Sequence, residues 1–471
     1  MQIRTRWGRV KPDRSRPVLS IRDAVDTLEG EHVSSNGRTG SSPRWGRNLV
    51  VTLALVLGVA VAAPAYGSAH PSARVTARGA SRSTFAAPMA TRRGAGAARA
   101  SATPFTVPPL EYHGGVVQHA SAIYAIYWVP TGYSLPAGYT SLLTQYFTDV
   151  AHDSFGAANA YSTDTQYYDF IGGVKRFISY SISYSGAVAD TDPLPPDGCA
   201  NYLISHGALS VNCLTSTQID DEVSSFVAAH HLPTGVSTTY VLFTPEGLGS
   251  CDSPGFCYAS NSANGYCAYH TATGFSPASA LYAYVPYQAI YPCTSGPSPT
   301  GVQPNGNAAD PAIDSTSHEI NETITDPYGD AWWGPRDEIA DMCSTSFGPA
   351  LGSTAFGMYN QVINGHKYWM QEEWSNRAHA CVQHNTFAQP KASFTVSPAS
   401  PVHGSKAKLT AKAASTGDNQ FTYRWVFPNG ATSTAADPAF TFGKAGTARV
   451  VLIVFGAHGD QRRVVRTITV R

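Results

Sequence analysis

The sequence predicts an α+β domain followed by a small all-β sandwich, and three observations lead to this prediction. Apolar, β-favouring runs such as 123–129 alternate with segments of helical periodicity such as 138–151. Near Pro390 the chain changes character, and short strands at regular spacing continue to its end. All eight cysteines lie before that point. Strands interleaved with helices favour a mixed α+β or three-layer domain, whereas evenly spaced short strands favour a sandwich.

Residues 1–69 have the order of an export signal. Basic residues crowd the first part of the segment, an apolar run extends from Leu49 to Ala65, and small residues follow it. Because the run is at the short limit for spanning a bilayer, we expect cleavage after Gly67 or Ala69. An uncleaved run would anchor the chain in a membrane. The predicted location is therefore extracellular, either secreted or held at the cell surface.

Residues 70–105 are rich in Ala, Arg, Ser and Gly and have no apolar periodicity, which predicts a disordered linker or a propeptide. The chain has 32 basic and 32 acidic residues, so no net field favours nucleic acid as a partner. An even number of cysteines in an exported chain predicts disulfides. Many pairings are open, and we expect Cys199 to pair with Cys213 and Cys343 with Cys381.

Residues 106–388 form the predicted disulfide-containing domain. Its expected helices are 138–151 and 217–229, and its expected buried strands are 123–129, 239–244 and 280–285. The Cys-, Gly- and Ser-rich segment 246–278 is expected to be a loop.

One further helix carries the polar motif of this domain. Asp310 is its expected N-cap with Pro311 at the first helical position, and Pro327 ends it at Asp326. Helical spacing puts apolar and polar side chains on opposite faces, so the polar face should line a cleft. The apolar face holds Ile313, Ile320 and Ile324, and the polar face holds Asp314, His318, Glu322 and Thr325.

The motif on this helix is HExxE. His318 and Glu322 lie one turn apart, so both can reach one metal ion. Glu319 is the neighbour that serves as general base in HExxH enzymes. A carboxylate is a legitimate zinc ligand, but it adds negative charge, which would make bound water less acidic and could favour another divalent ion. The motif predicts a zinc hydrolase, in particular a peptidase, with a zincin-like mixed sheet and active-site helix.

A third zinc ligand is expected from the acidic segment 337–343, because thermolysin-like zincins take a Glu from a following helix at a comparable separation. Glu338 is the first choice and Asp341 the second, and Asp341 could instead orient His318. His270, close to Cys267, is a candidate metal ligand or hydrogen-bond donor to an oxyanion. The alternatives without a catalytic role are a histidine whose hydrogen bonds are satisfied by loop carbonyls, and an acidic helix face that is exposed to solvent.

Residues 392–471 resemble the PKD (polycystic-kidney-disease) repeat. The matching features are the strand 423–427 around Trp425, the turn Asn429-Gly430 and the aromatic-to-glycine segment 440–446. The resemblance implies an immunoglobulin-like sandwich that acts as an extracellular spacer or adhesive module, often appended to hydrolases. Trp425 is expected in its core.

Several segments of residues 110–385 together resemble the extracellular phosphate-induced protein family, whose plant members are called EXORDIUM. The resemblance implies an extracellular, disulfide-containing protein with no established enzymatic activity. That family commonly has Asn where this chain has Asp326, which argues against Asp326 as an indispensable ligand. The matching segments are 112–115, 123–129, 267–270, 317–319 with Glu322, 325–327, 338–341 with Cys343, and 374–376 before Cys381.

Two other functions remain open from the sequence. A non-catalytic cell-wall or carbohydrate-binding protein would use exposed aromatic rings to stack on sugars, and a calcium-stabilised structural domain would use the acidic cluster without catalysis. The expected partner is an extracellular protein or a cell-wall polymer. The aromatic candidates are Tyr328, Trp332, Trp333, Trp369 and Trp374.

Overall fold

A computed structural model describes residues 108–199, 212–259, 265–274, 279–290, 292–294, 301–334, 337–385, 389–415 and 420–471. The predicted export signal and linker lie outside the described residues. No helix of the described ranges is long and apolar enough to cross a membrane.

The middle domain mixes helices with many short strands. Its α-helices are α1 (Tyr139–His152), α2 (Ser216–Ala229) and α3 (Ala309–Thr325), with 3₁₀ helices at Ala160–Gln166 and Asp341–Cys343. Its strands are β1 (Glu111–Tyr112), β2 (Ser121–Trp128), β3 (Tyr168–Ile171), β4 (Val174–Phe177), β5 (Ile182–Asp190), β6 (Asn212–Thr215), β7 (Thr238–Phe243), β8 (Leu248–Ser253), β9 (Phe256–Tyr258), β10 (Gly265–Tyr266), β11 (Tyr269–Ala272), β12 (Leu281–Val285), β13 (Trp332–Trp333), β14 (Gly352–Ser353), β15 (Met358–Tyr359), β16 (Gln361–Ile363), β17 (His366–Tyr368), β18 (Glu373–Ser375) and β19 (Ala380–Val382).

The central sheet has the strand order β11-β12-β7-β2-β5. Its strands run parallel except β11, which is antiparallel to β12 at one edge. Alternate residues of β2 point to opposite faces: Ile123 and Tyr127 pack in the core with α1 and α3, and Ile126 and Trp128 pack with α2. Helices therefore cover both faces, which explains why the parallel strands read as nearly continuous apolar runs.

The predicted helix positions agree with the structure to within a residue for α1 and α2. The prediction that Asp310 caps α3 is wrong, because Ala308 is the N-cap and Asp310 lies in the first turn. The carboxylate of Asp310 instead accepts hydrogen bonds from the backbone N–H groups of Asn305 and Asn307, so it fixes the turn before the helix. The helix ends at Asp326 before Pro327, as predicted.

The segment 246–278, expected to be a loop, contains the strands β8 to β11. Strand β8 pairs in parallel with β6 and antiparallel with β9, and a disulfide joins Cys251 to Cys257 across this second pairing. Hydrogen bonds between strands and disulfides hold these strands together. Their Cys-, Gly- and Ser-rich sequence shows no alternation of apolar and polar residues, so it does not predict them. The consequence for the site is that His270 lies on the regular edge strand β11.

All eight cysteines form disulfides. The predicted pairs Cys199–Cys213 and Cys343–Cys381 are confirmed. The other pairs join Cys251 to Cys257 and Cys267 to Cys293. Paired cysteines of this kind are typical of proteins that fold outside the reducing cytosol.

The C-terminal β domain consists of two antiparallel sheets with the orders β20-β21-β24 and β23-β22-β25-β26. Trp425 is fully buried between them, with Phe394 and Phe427 against its ring, so the predicted core position is confirmed. The turn after β22 contains Gly430 at φ 81°, a conformation that glycine adopts without strain. The strands are β20 (Lys391–Ser397), β21 (Lys406–Ala414), β22 (Phe421–Val426), β23 (Thr432–Ser433), β24 (Ala439–Thr441), β25 (Gly446–Gly456) and β26 (Gln461–Val470).

Candidate metal centre

Helix α3 is enclosed along its whole length, although its sequence is largely polar. All of its residues are buried, including the polar face that the sequence predicted to line a cleft. The apolar side chains of Ile313, Ile320 and Ile324 belong to the core beneath the central sheet. The polar face meets the edge strand β11 and the acidic segment 337–343, where five carboxylates and two histidines come together.

His318 is the centre of one group of donors. Its Nε2 lies 3.1 Å from Oε1 of Glu322 and 3.3 Å from Oδ1 of Asp341. The side chains of His318 and Glu322 are fully buried, and that of Asp341 is 5% exposed. One nitrogen and two carboxylate oxygens therefore lie within 4.8 Å of one another, as the ligands of one metal ion do.

Gln371 determines which nitrogen of His318 carries the proton. The amide nitrogen of Gln371 donates to the carbonyl oxygen of Ala340 at 2.7 Å, which turns its Oε1 towards His318. His318 Nδ1 donates to that oxygen at 3.0 Å. A proton held at Nδ1 leaves the lone pair of Nε2 directed at the carboxylates, which is the tautomer a metal requires.

The sequence did not predict Gln371 as a site residue. It lies in a run without a recognisable motif, and only the fold brings it beside α3. Its own backbone N–H is fixed by Oδ1 of Asp314, one turn before His318, at 2.7 Å.

The second group of donors surrounds His270. Its Nε2 lies 3.3 Å from the carbonyl oxygen of Asp326, which can only accept a proton, so Nε2 is the donor. Its Nδ1 faces Oε2 of Glu319 at 3.5 Å and Oε2 of Glu322 at 3.4 Å. The two oxygens of Glu322 thus face different histidines. Glu319 is fully buried, and neither of its oxygens has a hydrogen-bond partner.

The two carboxylates predicted as third ligand occupy different places. Asp341 faces His318, and its backbone N–H also donates to Oε1 of Glu322 at 3.1 Å. Glu338 instead faces His270, with 3.7 Å between its Oε1 and His270 Nε2. Asp337, which directly precedes Glu338, has φ 115°, a strained conformation for a residue with a side chain. Strained backbone at a cluster of polar side chains is common at functional sites.

Burial and mutual repulsion set the protonation of this cluster. Burial raises the pKa of Glu338 and of Asp341 well above the ordinary range, and the charge of Glu322 adds to both shifts. Burial alone would also raise the pKa of Glu322, but the charges and hydrogen bonds of His318 and His270 lower it to about 2. Burial lowers the pKa of both histidines, and the surrounding carboxylates outweigh it, so the result is a raised pKa for each.

The cluster holds more carboxyl groups than histidines, so its carboxylates cannot all be ionised and balanced without a further cation. No Lys or Arg of the described residues forms an ion pair with these carboxylates. Unpartnered buried atoms include His318 Nε2, His270 Nδ1 and both oxygens of Asp341. Each such atom costs about 1–3 kcal/mol when it is left without a partner. A bound cation would satisfy several of them together, so the donor set fits a metal ion.

The similarity of this chain to known proteins lies mainly in its C-terminal domain. Residues 387–471 match the family model of the PKD domain. The PKD1 domain of the Vibrio cholerae metalloprotease PrtV is 32% identical over an alignment that covers 18% of this chain and 98% of that one, with a TM-score of 0.16. PKD domains and disulfides are typical of extracellular proteins.

A longer alignment involves OgpA from Akkermansia muciniphila, crystallised also as an inactive form with an O-glycopeptide substrate. It is 10% identical, covers 77% of this chain and 96% of that chain, and has a TM-score of 0.19. No curated protein matches the chain.

Proposed function

We propose that this chain, whose residues 387–471 are a PKD domain, is a secreted zinc-dependent hydrolase that cleaves peptides. The observation that carries the proposal is the unpartnered, fully buried Nε2 of His318, which faces Glu322 and Asp341 while Gln371 holds the proton at Nδ1. His318 Nε2 and the two carboxylates form a donor set suited to a cation, which on binding displaces the proton that the raised pKa of His318 otherwise favours.

In this proposal His318, Glu322 and Asp341 hold the zinc. Asp341 takes precedence over Glu338 because its Oδ1 lies 3.3 Å from His318 Nε2, whereas Glu338 approaches the other histidine. Zinc held by these residues would supply a Lewis acid that polarises a substrate carbonyl and acidifies water. The mixed sheet beside the buried helix α3 supports a zincin-like fold for the middle domain. This fold is part of the same proposal.

Glu319 acts as the general base. It follows the metal-binding His318 directly, it is fully buried, and both of its oxygens lack partners, so they are free to take a proton from the attacking water. Burial raises the pKa of Glu319, which brings the carboxylate closer to the value suited to proton transfer near neutral pH.

His270 acts on the reacting carbonyl. Burial lowers the pKa of His270, but the carboxylates around it, Glu338 first, outweigh burial and raise it, which favours the charged imidazole beside Glu319 and Glu322. A cationic N–H donor on an edge strand next to the base is suited to stabilise the negative charge that develops on a substrate oxygen. Its present acceptor is the carbonyl oxygen of Asp326, which a substrate oxygen would replace.

The alternative is a non-catalytic carbohydrate-binding protein of the EXORDIUM-like type. Stacking on a sugar needs an exposed aromatic face. Trp332, Trp369 and Trp374 are at most 7% exposed. Trp333 is 40% exposed and supports this alternative, although one face of its ring stacks on His113 with the ring centroids 3.6 Å apart.

The test is elemental analysis of the full-length secreted protein after reconstitution with zinc and removal of excess metal. We expect one zinc per chain in the wild type, loss of zinc in His318→Ala and Asp341→Asn, and retention in Glu338→Gln. The matched control is His231→Ala, an exposed histidine in the turn after α2. Folded wild-type protein without zinc would overturn the proposal.

A peptidase screen with Glu319→Gln as the catalytic control completes the test. Cleavage by the wild type and loss of cleavage in a zinc-loaded Glu319→Gln variant are the expected results. Zinc binding without cleavage of any peptide, together with binding to a cell-wall polysaccharide that Trp333→Ala weakens, would favour the alternative.

A further inference from the structure

A second acidic cluster lies away from the HExxE helix, where the edge strand β5 meets α2. Asp190 is the last residue of β5, Asp192 follows two positions later, and Glu222 projects from the second turn of α2. One oxygen of each carboxylate lies within 4.8 Å of the others. None of the three belongs to the site proposed for hydrolysis.

A buried oxygen without a partner points to a ligand at this place. Asp190 is 1% exposed; its Oδ1 accepts a hydrogen bond from the backbone N–H of Asp192 at 2.9 Å, and its Oδ2 has no partner. Oε1 of Glu222 is also buried without a partner. No Lys or Arg of the described ranges forms an ion pair with either carboxylate. Facing buried oxygens of like charge require either a shared proton or a bound cation.

The backbone around the cluster is held in place by the neighbouring strand. Trp128 donates from its indole nitrogen to the carbonyl oxygen of Asp192 at 3.0 Å. The backbone N–H of Val129 donates to the carbonyl oxygen of Asp190 at 2.8 Å. The two aspartates are therefore fixed before any ligand binds, which lowers the entropic cost of binding.

The chemistry of the donors selects the ion. All three are carboxylates, with no imidazole or thiolate among them, and hard oxygen donors suit calcium or magnesium rather than zinc. Asp190 is buried, Glu222 is half-buried and Asp192 is exposed, so one side of the cluster is open to water. Calcium accepts six to eight oxygens in flexible geometry and can complete its shell with water, whereas magnesium demands a near-ideal octahedron.

We propose that Asp190, Asp192 and Glu222 bind one calcium ion, which ties the edge strand β5 to α2. The ion stabilises the domain and takes no part in the hydrolytic reaction. Loss of the ion would free the outer end of β5 from the helix that covers this face of the sheet.

The experiment uses the full-length secreted protein, first stripped with a chelator and then titrated with calcium chloride by calorimetry in parallel with thermal unfolding. We expect one calcium per chain and a higher melting temperature in calcium. Glu222→Gln and Asp192→Asn should weaken calcium binding by about tenfold or more. The matched control, Asp221→Asn, changes an exposed carboxylate at the neighbouring position of α2 and should bind calcium as the wild type does.

Two results would overturn the proposal. The first is a wild type that shows neither calorimetric binding nor a melting shift in calcium, which would leave a proton shared between Asp190 and Glu222. The second is unchanged calcium affinity in Glu222→Gln, which would place any calcium elsewhere. Because zinc content is measured separately, either failure leaves the hydrolase proposal untouched.

Discussion

The Nε2 atom of His318 lies 3.1 Å from Oε1 of Glu322, the residue one helical turn further along the same helix, and both side chains are fully buried. A helix normally places such a pair on its surface. Here the pair faces Asp341 from a separate 3₁₀ turn, so the three donors converge only in the folded chain.

Gln371→Leu should lower zinc affinity by about 10–100-fold, because partners that orient a metal-binding histidine typically contribute that much. The leucine removes the acceptor that keeps the proton on Nδ1 of His318. Competition with a chromogenic zinc chelator measures the affinity. Gln383→Leu, which loses side-chain bonds to Phe347 and Pro349 outside the cluster, serves as the control. Equal zinc affinity in Gln371→Leu and wild type would show that the amide does not orient the ligand.

Glu319→Gln should retain zinc and lose about 10²–10⁴-fold in the rate of peptide cleavage, the usual contribution of a general base. The amide keeps the size of the side chain but cannot take a proton at neutral pH. Single-turnover rates on a cleaved peptide, with zinc content measured on the same samples, give the result. A zinc-loaded variant with the wild-type rate would remove Glu319 from the reaction.

Calcium-free protein should lose stability as pH rises between about 4.5 and 8. Burial, followed by the charge of Asp190, raises the pKa of Glu222 from 4.5 to about 8, with Asp192 adding to the shift. Burial raises the pKa of Asp190, although the charge of His230 lowers it. The folded state therefore holds a proton that the unfolded state has released, and the free energy of unfolding falls as pH rises through this window.

Urea unfolding in a chelating buffer at pH 5 and pH 8 measures this dependence. Glu222→Gln should make this fall shallower, while Glu338 and Asp341, whose pKa burial also raises, account for part of the remainder. Added calcium should raise the stability most at pH 8. A wild-type stability that does not fall across the window would contradict the expected pKa.

Replacing both Cys343 and Cys381 by alanine should reduce zinc affinity, because this disulfide anchors the turn that carries Asp341 to strand β19. The loss of a cross-link also lowers the free energy of unfolding by about 2–4 kcal/mol. The double variant of Cys199 and Cys213 loses a disulfide outside the metal cluster and should keep its zinc. Equal zinc affinities in the two double variants would show that the turn holds its place without the bond.

Regular elements were predictable wherever periodicity was strong. The buried strand 123–129, the helices α1 and α2 and the strands of the C-terminal domain all follow from local pattern. The strands within 246–278 were not predictable, because their residues do not alternate between apolar and polar and are held instead by hydrogen bonds between strands and by disulfides. The sequence also missed the cap of α3, since Asp310 bonds backward to Asn305 and Asn307 rather than forward into the helix.

The candidate site was predictable in its residue types and less so in their arrangement. The spacing of His318 and Glu322 on one helix follows from helical geometry alone. Glu338 and Asp341 lie three residues apart, and only the path of the chain after Asp337 directs one to His270 and the other to His318. Gln371 reaches the cluster through long-range packing, which a single sequence does not encode in any short motif.

The complete enclosure of α3 bears on how freely this chain tolerates sequence change. An ordinary amphipathic helix accepts most substitutions on its outer side, so its tolerance to mutation rises and falls with each turn. All 17 residues of α3 are buried, and neighbours surround the helix on every side. Saturation mutagenesis of the protein should therefore find an unbroken block of intolerant positions there, in which polar and apolar residues are equally hard to replace.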